Sequence, residues 1–264
     1  MLSEKEKIKI LDGILLSSPN TEKHRRYHIF PERVSALVKD RRNSPKSRFY
    51  EKERLEFIKS RVNFKNKMVL DIGCNTGYFL FAALDNGASK VIGYEGETTC
   101  HEFLENAVML LDERDKFSLF KQYYDFRAEA GKYDIIILLN VLHHIGDDYG
   151  SKTMTMDVAK GKIVEQINSL SRNTSVLIIQ MGFNWKGHIN TCLFDHGTKE
   201  ELIAYIEDGT KENWEISAIG IAEAHNGRIL YNLVNDKNIL RDDSLGEFLN
   251  RPLFILKSKN VEKD

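Results

Sequence analysis

Two acidic residues, Asp71 and Glu95, each follow a short apolar stretch and are candidates to bind a positively charged ligand. Asp71 directly follows the stretch 68–70. Gly73 and Gly77 come next, before an apolar helical pattern begins. This order predicts a buried strand, a tight turn and a helix start, as in the first unit of nucleotide-binding α/β sheets. Because glycine has no Cβ, Gly73 allows close approach of a ligand, and Gly77 allows the helix to pack against the strand. We therefore expect the loop to hold a cofactor.

The spacing of this loop differs from that of dinucleotide-binding loops. Those loops have the pattern Gly-x-Gly-x-x-Gly and place a pyrophosphate on the helix N-terminus, whereas Asp71-x-Gly73-x-x-x-Gly77 lacks the middle glycine. A second strand pattern ends at Glu95, 24 positions after Asp71. An acid in this place accepts hydrogen bonds from ribose hydroxyls in Rossmann-type units. The two acids together favour a ligand with a ribose and a positive charge.

A second group of candidate residues follows the unbroken apolar run 135–139, which predicts a buried parallel strand. Asn140, His143 and His144 come directly after it, where ligands lie in open α/β sheets. Histidine has an ordinary pKa near 6.5 and suits the removal of a proton from a neutral hydroxyl acceptor. Either histidine is therefore a candidate catalytic base. For an acceptor that is already ionised, His144 would instead donate a hydrogen bond.

The first pattern resembles the first motif of class I S-adenosyl-L-methionine (SAM) dependent methyltransferases, and Asp134-x-x-x-x-x-Asn140-Val-Leu-His143-His144 resembles their fourth. The resemblance spans about 69–257. It implies SAM as the cofactor and an α/β, Rossmann-like, doubly wound, mostly parallel seven-stranded sheet with an antiparallel terminal hairpin. It also implies that the turn after the third strand contacts the adenine, with Asp125 favoured over Tyr124. The predicted cofactor-binding residues are Asp71, Gly73, Cys74, Asn75, Thr76, Gly77, Tyr78, Glu95, Gly96, Tyr124, Asp125 and Asn140.

Residues 1–67 form a basic segment, with 18 Lys and Arg against 9 Asp and Glu. We expect a helical N-terminal extension or cap here, followed by the SAM-binding domain at 68–264 with an insert at about 226–250. Such charge asymmetry favours an anionic acceptor, since guanidinium groups bind phosphate or carboxylate in two-pronged geometry. The null alternative is a solvated basic surface. The candidate acceptor-binding residues are Arg25, Arg26, Tyr27, His28, Arg33, Arg48, Trp185, Arg228 and Arg241.

Within the superfamily, the basic segment, the His-His pair and the long insert look like bacterial methyltransferases that act on surface-polysaccharide (O-antigen) termini. The chain is similar, more loosely, to transferases that modify the wobble uridine of transfer RNA. Three hypotheses follow: a methyltransferase acting on an oxygen of a glycan or its phosphate terminus, an RNA methyltransferase, and a non-catalytic SAM-binding module.

The composition is that of an ordinary globular protein, with 42% hydrophobic and 29% charged residues in a chain of 264. No apolar run approaches the roughly 20 residues that span a bilayer, so we expect no stable membrane insertion and a cytoplasmic location. Three widely spaced cysteines form neither a disulfide framework nor a metal-binding pattern. No metal is predicted.

Overall fold

The structure is a computed structural model that describes residues 3–17, 30, 32–38, 50–127, 131–188 and 190–261. The helices in these residues are α1 (Glu4–Ser17), α2 (Glu32–Ser35), α3 (Glu51–Lys59), α4 (Tyr78–Asp85), α5 (Thr98–Leu110), α6 (Met156–Ser169), α7 (Lys199–Thr210) and α8 (Gly246–Leu249). The strands are β1 (Met68–Ile72), β2 (Lys90–Tyr94), β3 (Phe117–Phe120), β4 (Tyr133–Leu139), β5 (Thr174–Gln180), β6 (Trp214–His225), β7 (Arg228–Leu233) and β8 (Leu253–Ser258).

The chain divides into two compact units, of which the first takes the described residues of 1–55 and 62–124. Its strands are parallel in the order β3-β2-β1, with Asp71 opposite Gly93. Helix α1 packs on α5, and the Lys7 ammonium donates to the Leu110 carbonyl at 3.0 Å. The described N-terminal residues belong to the unit that contains β1, and the predicted domain boundary at residue 67 stays a prediction. Their predicted role as a functional cap stays a prediction.

The second unit comprises residues 56–61 and 125–264, as far as they are described. Strands β4 and β5 are parallel, and β8, β6 and β7 continue the sheet in antiparallel fashion in the order β4-β5-β8-β6-β7. The continuous apolar run of β4 is buried from Ile135 to Leu139, as expected for a strand covered on both faces. Helix α7 begins with a capping box, in which Thr198 and Glu201 are bonded reciprocally.

These elements confirm the predicted α/β, Rossmann-like class with parallel strands and an antiparallel end. The described residues contain eight strands where seven were predicted. The apolar pattern fits a closing strand at 228–234 and equally one at 252–257. Both form strands, because β8 lies between β5 and β6 and β7 pairs with β6 as an additional outer strand.

The predicted insert is partly regular structure, since 226–250 contains β7 and α8. The segment between them is tied to α7 by Lys199, which is 2% exposed and donates to the carbonyls of Asn238 and Leu240 at 2.8 and 2.9 Å. The Asn250 amide also donates to the Asp242 carbonyl at 2.7 Å. These bonds hold the residues before β8 in one conformation, so that side chains from this segment are positioned at the end of β5.

No helix in the described part of the chain is long and apolar enough to cross a bilayer.

Candidate active site

The loop between β1 and α4 takes the conformation that the glycine spacing predicts. Gly73 and Gly77 have φ of 75° and 85°, which glycine adopts without steric penalty. The N–H groups of Gly73 and Cys74 donate to the Tyr94 carbonyl at 2.8 and 3.1 Å, which joins the loop to β2. A Cβ at Gly77 would lie 2.5 Å from Cδ1 of Leu104 on α5. Gly77 is therefore required by its backbone angle and by Leu104, and α4 packs on β1 as expected.

The two predicted acids both lie in this first unit and are buried. Glu95, 8% exposed, accepts hydrogen bonds from the backbone N–H groups of Asn75 and Glu97, both at 2.7 Å. Asp71 is 3% exposed, and its Oδ2 has no hydrogen-bond partner among the described residues. Burial raises the pKa of Asp71 to about 8, with a further contribution from the charge of Glu95. Burial also raises the pKa of Glu95 to about 7.

Sequence reasoning missed a buried arginine beside these acids. Arg54 on α3 is fully buried, and its guanidinium carbon lies 5.2 Å from the Phe79 ring centre. Its charge opposes the rise in the pKa of Asp71. Arg54 stands among other charged residues of a polar helix, so nothing in the local pattern separates it from a surface residue. We call Asp71, the loop 73–77, Glu95 and Arg54 the donor cluster.

Several other predicted cofactor residues lie in the first unit, within the donor cluster or near it in sequence. Tyr78 and Cys74 are buried, and burial raises the pKa of the Cys74 thiol. A Cβ at Gly96 would lie 2.6 Å from the Tyr123 ring, so this ring covers the turn after Glu95. The half-buried Tyr124 packs edge-on against Tyr94, with ring centres 5.0 Å apart.

Asp125, the favoured adenine contact, is exposed in the second unit. Its carboxylate accepts from the Nε of Arg127 at 3.0 Å, and these hydrogen bonds lower the pKa of Asp125. Its predicted contact with the adenine stays a prediction.

The two candidate catalytic histidines, both in the second unit, have different surroundings. His143 is 2% exposed, and its Nδ1 accepts a hydrogen bond from the Gly182 N–H at 3.1 Å. Burial lowers the pKa of His143 well below its usual value, with contributions from His144 and Arg251. His143 is therefore a neutral imidazole with its proton on Nε2. The half-buried His144 has its Nδ1 3.5 Å from a carboxylate oxygen of Asp148.

An arginine and a glutamate from the segment before β8 complete this group, and neither was among the predicted site residues. Arg251 donates to Glu247 from Nε at 3.0 Å and from Nη2 at 2.5 Å, and its Nη1 donates to Oδ1 of Asn140 at 2.8 Å. Asn140 has φ of 62°, and its N–H donates to the Gln180 carbonyl at 2.6 Å. The histidine cluster is defined as Asn140, His143, His144, Asp148, Gln180, Gly182, Glu247 and Arg251.

Most of the predicted acceptor-binding residues in the basic segment lie outside the described residues, namely Arg25, Arg26, Tyr27, His28 and Arg48. Arg33 is described, and it donates to Glu113 at 2.5 Å and contacts Asp85. Its guanidinium thus already has two carboxylate partners. Its predicted contact with the acceptor stays a prediction.

The remaining three acceptor candidates lie in the second unit. Trp185 is buried, and its Nε1 donates to the Ile145 carbonyl at 2.7 Å. Arg241 donates to Asp243 at 2.6 Å and to the Gly197 carbonyl at 2.5 Å. Arg228 is exposed at the first position of β7. The contacts of Trp185 and Arg241 are internal ones, and the acceptor roles of all three stay predictions.

Comparisons with known proteins place the chain in a family. The model of a methyltransferase domain family matches residues 40–187, more than half of the chain. A tRNA U34 carboxymethyltransferase from Aliarcobacter butzleri is 31% identical over 110 residues, covering 40% of this chain and 36% of the relative. The chain thus matches only about a third of the length of the curated relatives.

Two solved structures are similar in fold. The structure of WbdD is 13% identical, with a TM-score of 0.52 over 94% of this chain and 46% of WbdD. A magnesium protoporphyrin IX methyltransferase from Synechocystis PCC 6803 with bound SAM is 15% identical, with a TM-score of 0.49 over 79% of each chain. The first of these likenesses supports the fold alone.

The chain belongs to the methyltransferase domain family. More particularly, residues 40–187 form its methyltransferase domain, and SAM is the cofactor of this domain.

The donor cluster suits this cofactor. SAM supplies a methyl group made electrophilic by its sulfonium, and it also has an ammonium, a carboxylate and ribose hydroxyls. The buried Oδ2 of Asp71, which has no hydrogen-bond partner among the described residues, is suited to a cationic group. The Glu95 carboxylate, oriented by two backbone N–H groups, retains lone pairs that can accept from hydroxyls. Asp71, the glycine loop and Glu95 are therefore the residues we expect to hold SAM.

Proposed function

We propose that this methyltransferase transfers the methyl group to an oxygen of an anionic acceptor, and that the acceptor is a bacterial glycan or its phosphate terminus. On this proposal the chain works in the cytoplasm in polysaccharide biosynthesis. The observation that supports it most directly is the pair formed by His144 and Asp148 at the end of β4. A histidine oriented by a carboxylate is the arrangement by which proteins position a general base.

The two histidines take separate roles in this proposal. His144 accepts the proton of the acceptor hydroxyl, because its Nδ1 lies 3.5 Å from the Asp148 carboxylate and its side chain is 19% exposed. His143 cannot readily accept a proton, since burial lowers its pKa and its Nδ1 already accepts from the Gly182 N–H. His143 is instead a positioning residue that joins the ends of β4 and β5.

The anionic character of the acceptor is supported by the charge of the first quarter of the chain. Residues 1–67 contain twice as many basic as acidic residues, and a positive region raises the local concentration of an anion. A glycan with phosphate or acidic sugars satisfies this preference. The positive segment would bind the charged part of such a glycan.

RNA is the second candidate acceptor, and the curated relatives favour it. Those relatives are named tRNA U34 carboxymethyltransferases and are about 30% identical over part of their length. For RNA, binding should weaken steeply with added salt, because each neutralised phosphate releases counterions. A non-catalytic SAM-binding module, the third hypothesis, is disfavoured by the family membership and by the two histidines.

The test is transfer of label from methyl-labelled SAM into extracts of cells that lack this protein. Extracts are separated into cell-envelope glycan, RNA and small-molecule fractions and incubated with wild-type protein or the His144→Gln variant. We expect label in the glycan fraction, with a large reduction for the variant. Label confined to RNA would refute the glycan acceptor and establish the second candidate.

A further inference from the structure

The histidine cluster contains a hydrogen-bonded array that the transfer of a proton to His144 does not use. Arg251 is held by Glu247, and through Nη1 it holds Oδ1 of Asn140. The Gln180 amide donates to the Arg251 carbonyl at 3.0 Å. The array thus joins the ends of β4 and β5 to the segment before β8 through four planar polar groups.

Gly182 brings this array against His143. A Cβ at Gly182 would lie 3.0 Å from Nε2 of His143 and 3.1 Å from Cζ of Arg251. The imidazole and the guanidinium therefore both pack on the same backbone position. Glu247 also accepts from the Phe183 N–H at 3.2 Å, so its carboxylate is fixed from both sides.

The array is partly open to solvent, because the side chains of Glu247 and Arg251 are 29% and 15% exposed. A group that reaches it meets a carboxylate that accepts hydrogen bonds and a guanidinium that donates them. Vicinal hydroxyls of a sugar both donate and accept, and they match such a pair. A site made only of backbone N–H groups, or of unpaired cations, would not provide a hydrogen-bond acceptor for the sugar hydroxyls.

The charges of the described residues in this cluster argue against a phosphate here. Glu247 and Asp148 are acidic, Arg251 is basic, and His143 is neutral. Arg251 is already paired with Glu247, so a phosphate bound at Arg251 would meet the repulsion of the Glu247 carboxylate. An uncharged hydroxyl meets no such repulsion.

We infer that Glu247, Arg251 and Asn140 form the acceptor subsite for sugar hydroxyls, so that the methylated oxygen is a glycan hydroxyl and not its phosphate. This inference rests on the proposed function, and it narrows the acceptor to one kind of oxygen. The hydroxyl oxygen forms its bond to the methyl carbon as the carbon–sulfur bond breaks and the electron pair goes to sulfur. The hydroxyl proton goes to His144.

The first experiment asks where the label resides. The glycan fraction of cells lacking this protein is incubated with methyl-labelled SAM and wild-type protein, and then treated with cold aqueous hydrofluoric acid, which cleaves phosphate esters and leaves methyl ethers intact. We expect the label to remain on a monosaccharide. Release of the label as methanol would overturn the inference, although the acceptor would still be a glycan. An unlabelled glycan fraction would overturn the inference and the proposed function together.

The second experiment tests the subsite. Glu247→Gln keeps the size of the side chain but weakens its hydrogen bonds, so we expect KM for the glycan to rise roughly ten- to hundredfold. The affinity for SAM, measured by calorimetry, should stay unchanged. A lower KM, as expected when repulsion of a phosphate is removed, would contradict the subsite, as would an unchanged one. Glu223→Gln is the matched control, because Glu223 is a carboxylate of β6 that accepts from Asn232 and Asn238 at 2.7 and 3.0 Å.

Discussion

The donor cluster and the histidine cluster differ in how their charges are compensated. In the donor cluster Asp71 is buried, its Oδ2 has no hydrogen-bond partner among the described residues, and burial and Glu95 raise its pKa to about 8. In the histidine cluster Arg251 is paired with Glu247, and Asn140 is held by Arg251 and Gln180. Each cluster thus has two carboxylates and one arginine, but Oδ2 of Asp71 is left for a group of the ligand, whereas the array of Arg251 and Glu247 is already balanced.

This difference indicates how each cluster recognises its ligand. A buried acid without a partner is destabilising until a cation binds, so part of the affinity comes from relief of that penalty. A balanced array gains little from a charged ligand and selects instead by the geometry of its donors and acceptors. The donor cluster should thus respond to changes in charge, and the histidine cluster to changes in shape and hydrogen bonding.

The largest expected effect is a fall in kcat, without a change in SAM affinity, when the proposed base is removed from the histidine cluster. His144→Gln removes the proposed base, and we expect kcat to fall by roughly 10²- to 10⁴-fold, the usual contribution of general base catalysis. The affinity for SAM should be unchanged in calorimetry, because His144 is not in the donor cluster. Asp148→Asn should lower kcat less, since the imidazole remains. An unaltered kcat for His144→Gln in single-turnover measurements would remove this residue from the chemistry.

The next effect is on the shape of the donor loop. Gly77→Ala forces a Cβ into 2.5 Å contact with Leu104 at a φ of 85°. Positive φ costs about 1–2 kcal/mol and overpacking about 1–3 kcal/mol, so we expect a fall of about 2–5 kcal/mol in the free energy of unfolding. SAM binding should weaken as well. Denaturant titration and calorimetry measure the two effects.

Gly87→Ala is the control for the backbone angle alone. Gly87 has φ of 91°, but its nearest neighbour to an added Cβ lies at 3.4 Å, which is ordinary contact. We expect the smaller loss of about 1–2 kcal/mol and no change in SAM affinity. Equal losses for the two variants would show that Leu104 does not constrain the loop.

The third effect tests how much the negative charge of Asp71 contributes to SAM binding. Asp71→Asn preserves the side-chain shape but removes the anion, and SAM affinity should fall roughly ten- to hundredfold, as for loss of a hydrogen bond to a charged group of about 1.5–3 kcal/mol. Wild-type protein should release protons on binding SAM near pH 7, because a cation favours the ionised acids. Calorimetry in buffers of different ionisation enthalpy would detect this release, and the variant should release fewer protons.

Most of the donor cluster could be predicted from the sequence, because its residues follow a local pattern. Strand β1, the two glycines and the acid after β2 lie within 28 residues, and hydrophobic periodicity and glycine spacing indicate strand, turn and helix directly. Arg54 was missed because its burial depends on packing against Phe79, and a charged residue in a polar helix gives no local sign of that contact.

The histidine cluster was less predictable, because its contacts join residues that are far apart in the sequence. Arg251 reaches Asn140 across 111 positions, and the pairing depends on β8 lying between β5 and β6. The order of strands in an antiparallel terminus does not follow from hydrophobic pattern alone. The His-His pair was found from its place after β4, but the different roles of the two imidazoles depend on Gly182 and Asp148.

The smallest effect concerns stability and pH in the ligand-free protein, and it tests whether Asp71 is as destabilising as its burial indicates. Its folded pKa of about 8 is above the ordinary value of 3.8, so between these values the folded state binds a proton that the unfolded state does not. The free energy of unfolding must then fall as pH rises through this range. Glu95, with a pKa near 7, acts in the same direction.

We expect the Tm of ligand-free protein to decrease by roughly five to ten degrees between pH 6 and 8, in keeping with a loss on the order of 2–4 kcal/mol. Asp71→Asn should reduce this decrease, since an amide does not titrate, and saturating SAM should reduce it in the wild type. Differential scanning fluorimetry at a series of pH values measures all three. His143, whose pKa is lowered by burial, affects stability in acid and contributes little above pH 7. A variant with the same pH slope as the wild type would show that Asp71 is ionised in the folded state, because a partner other than SAM then stabilises its charge.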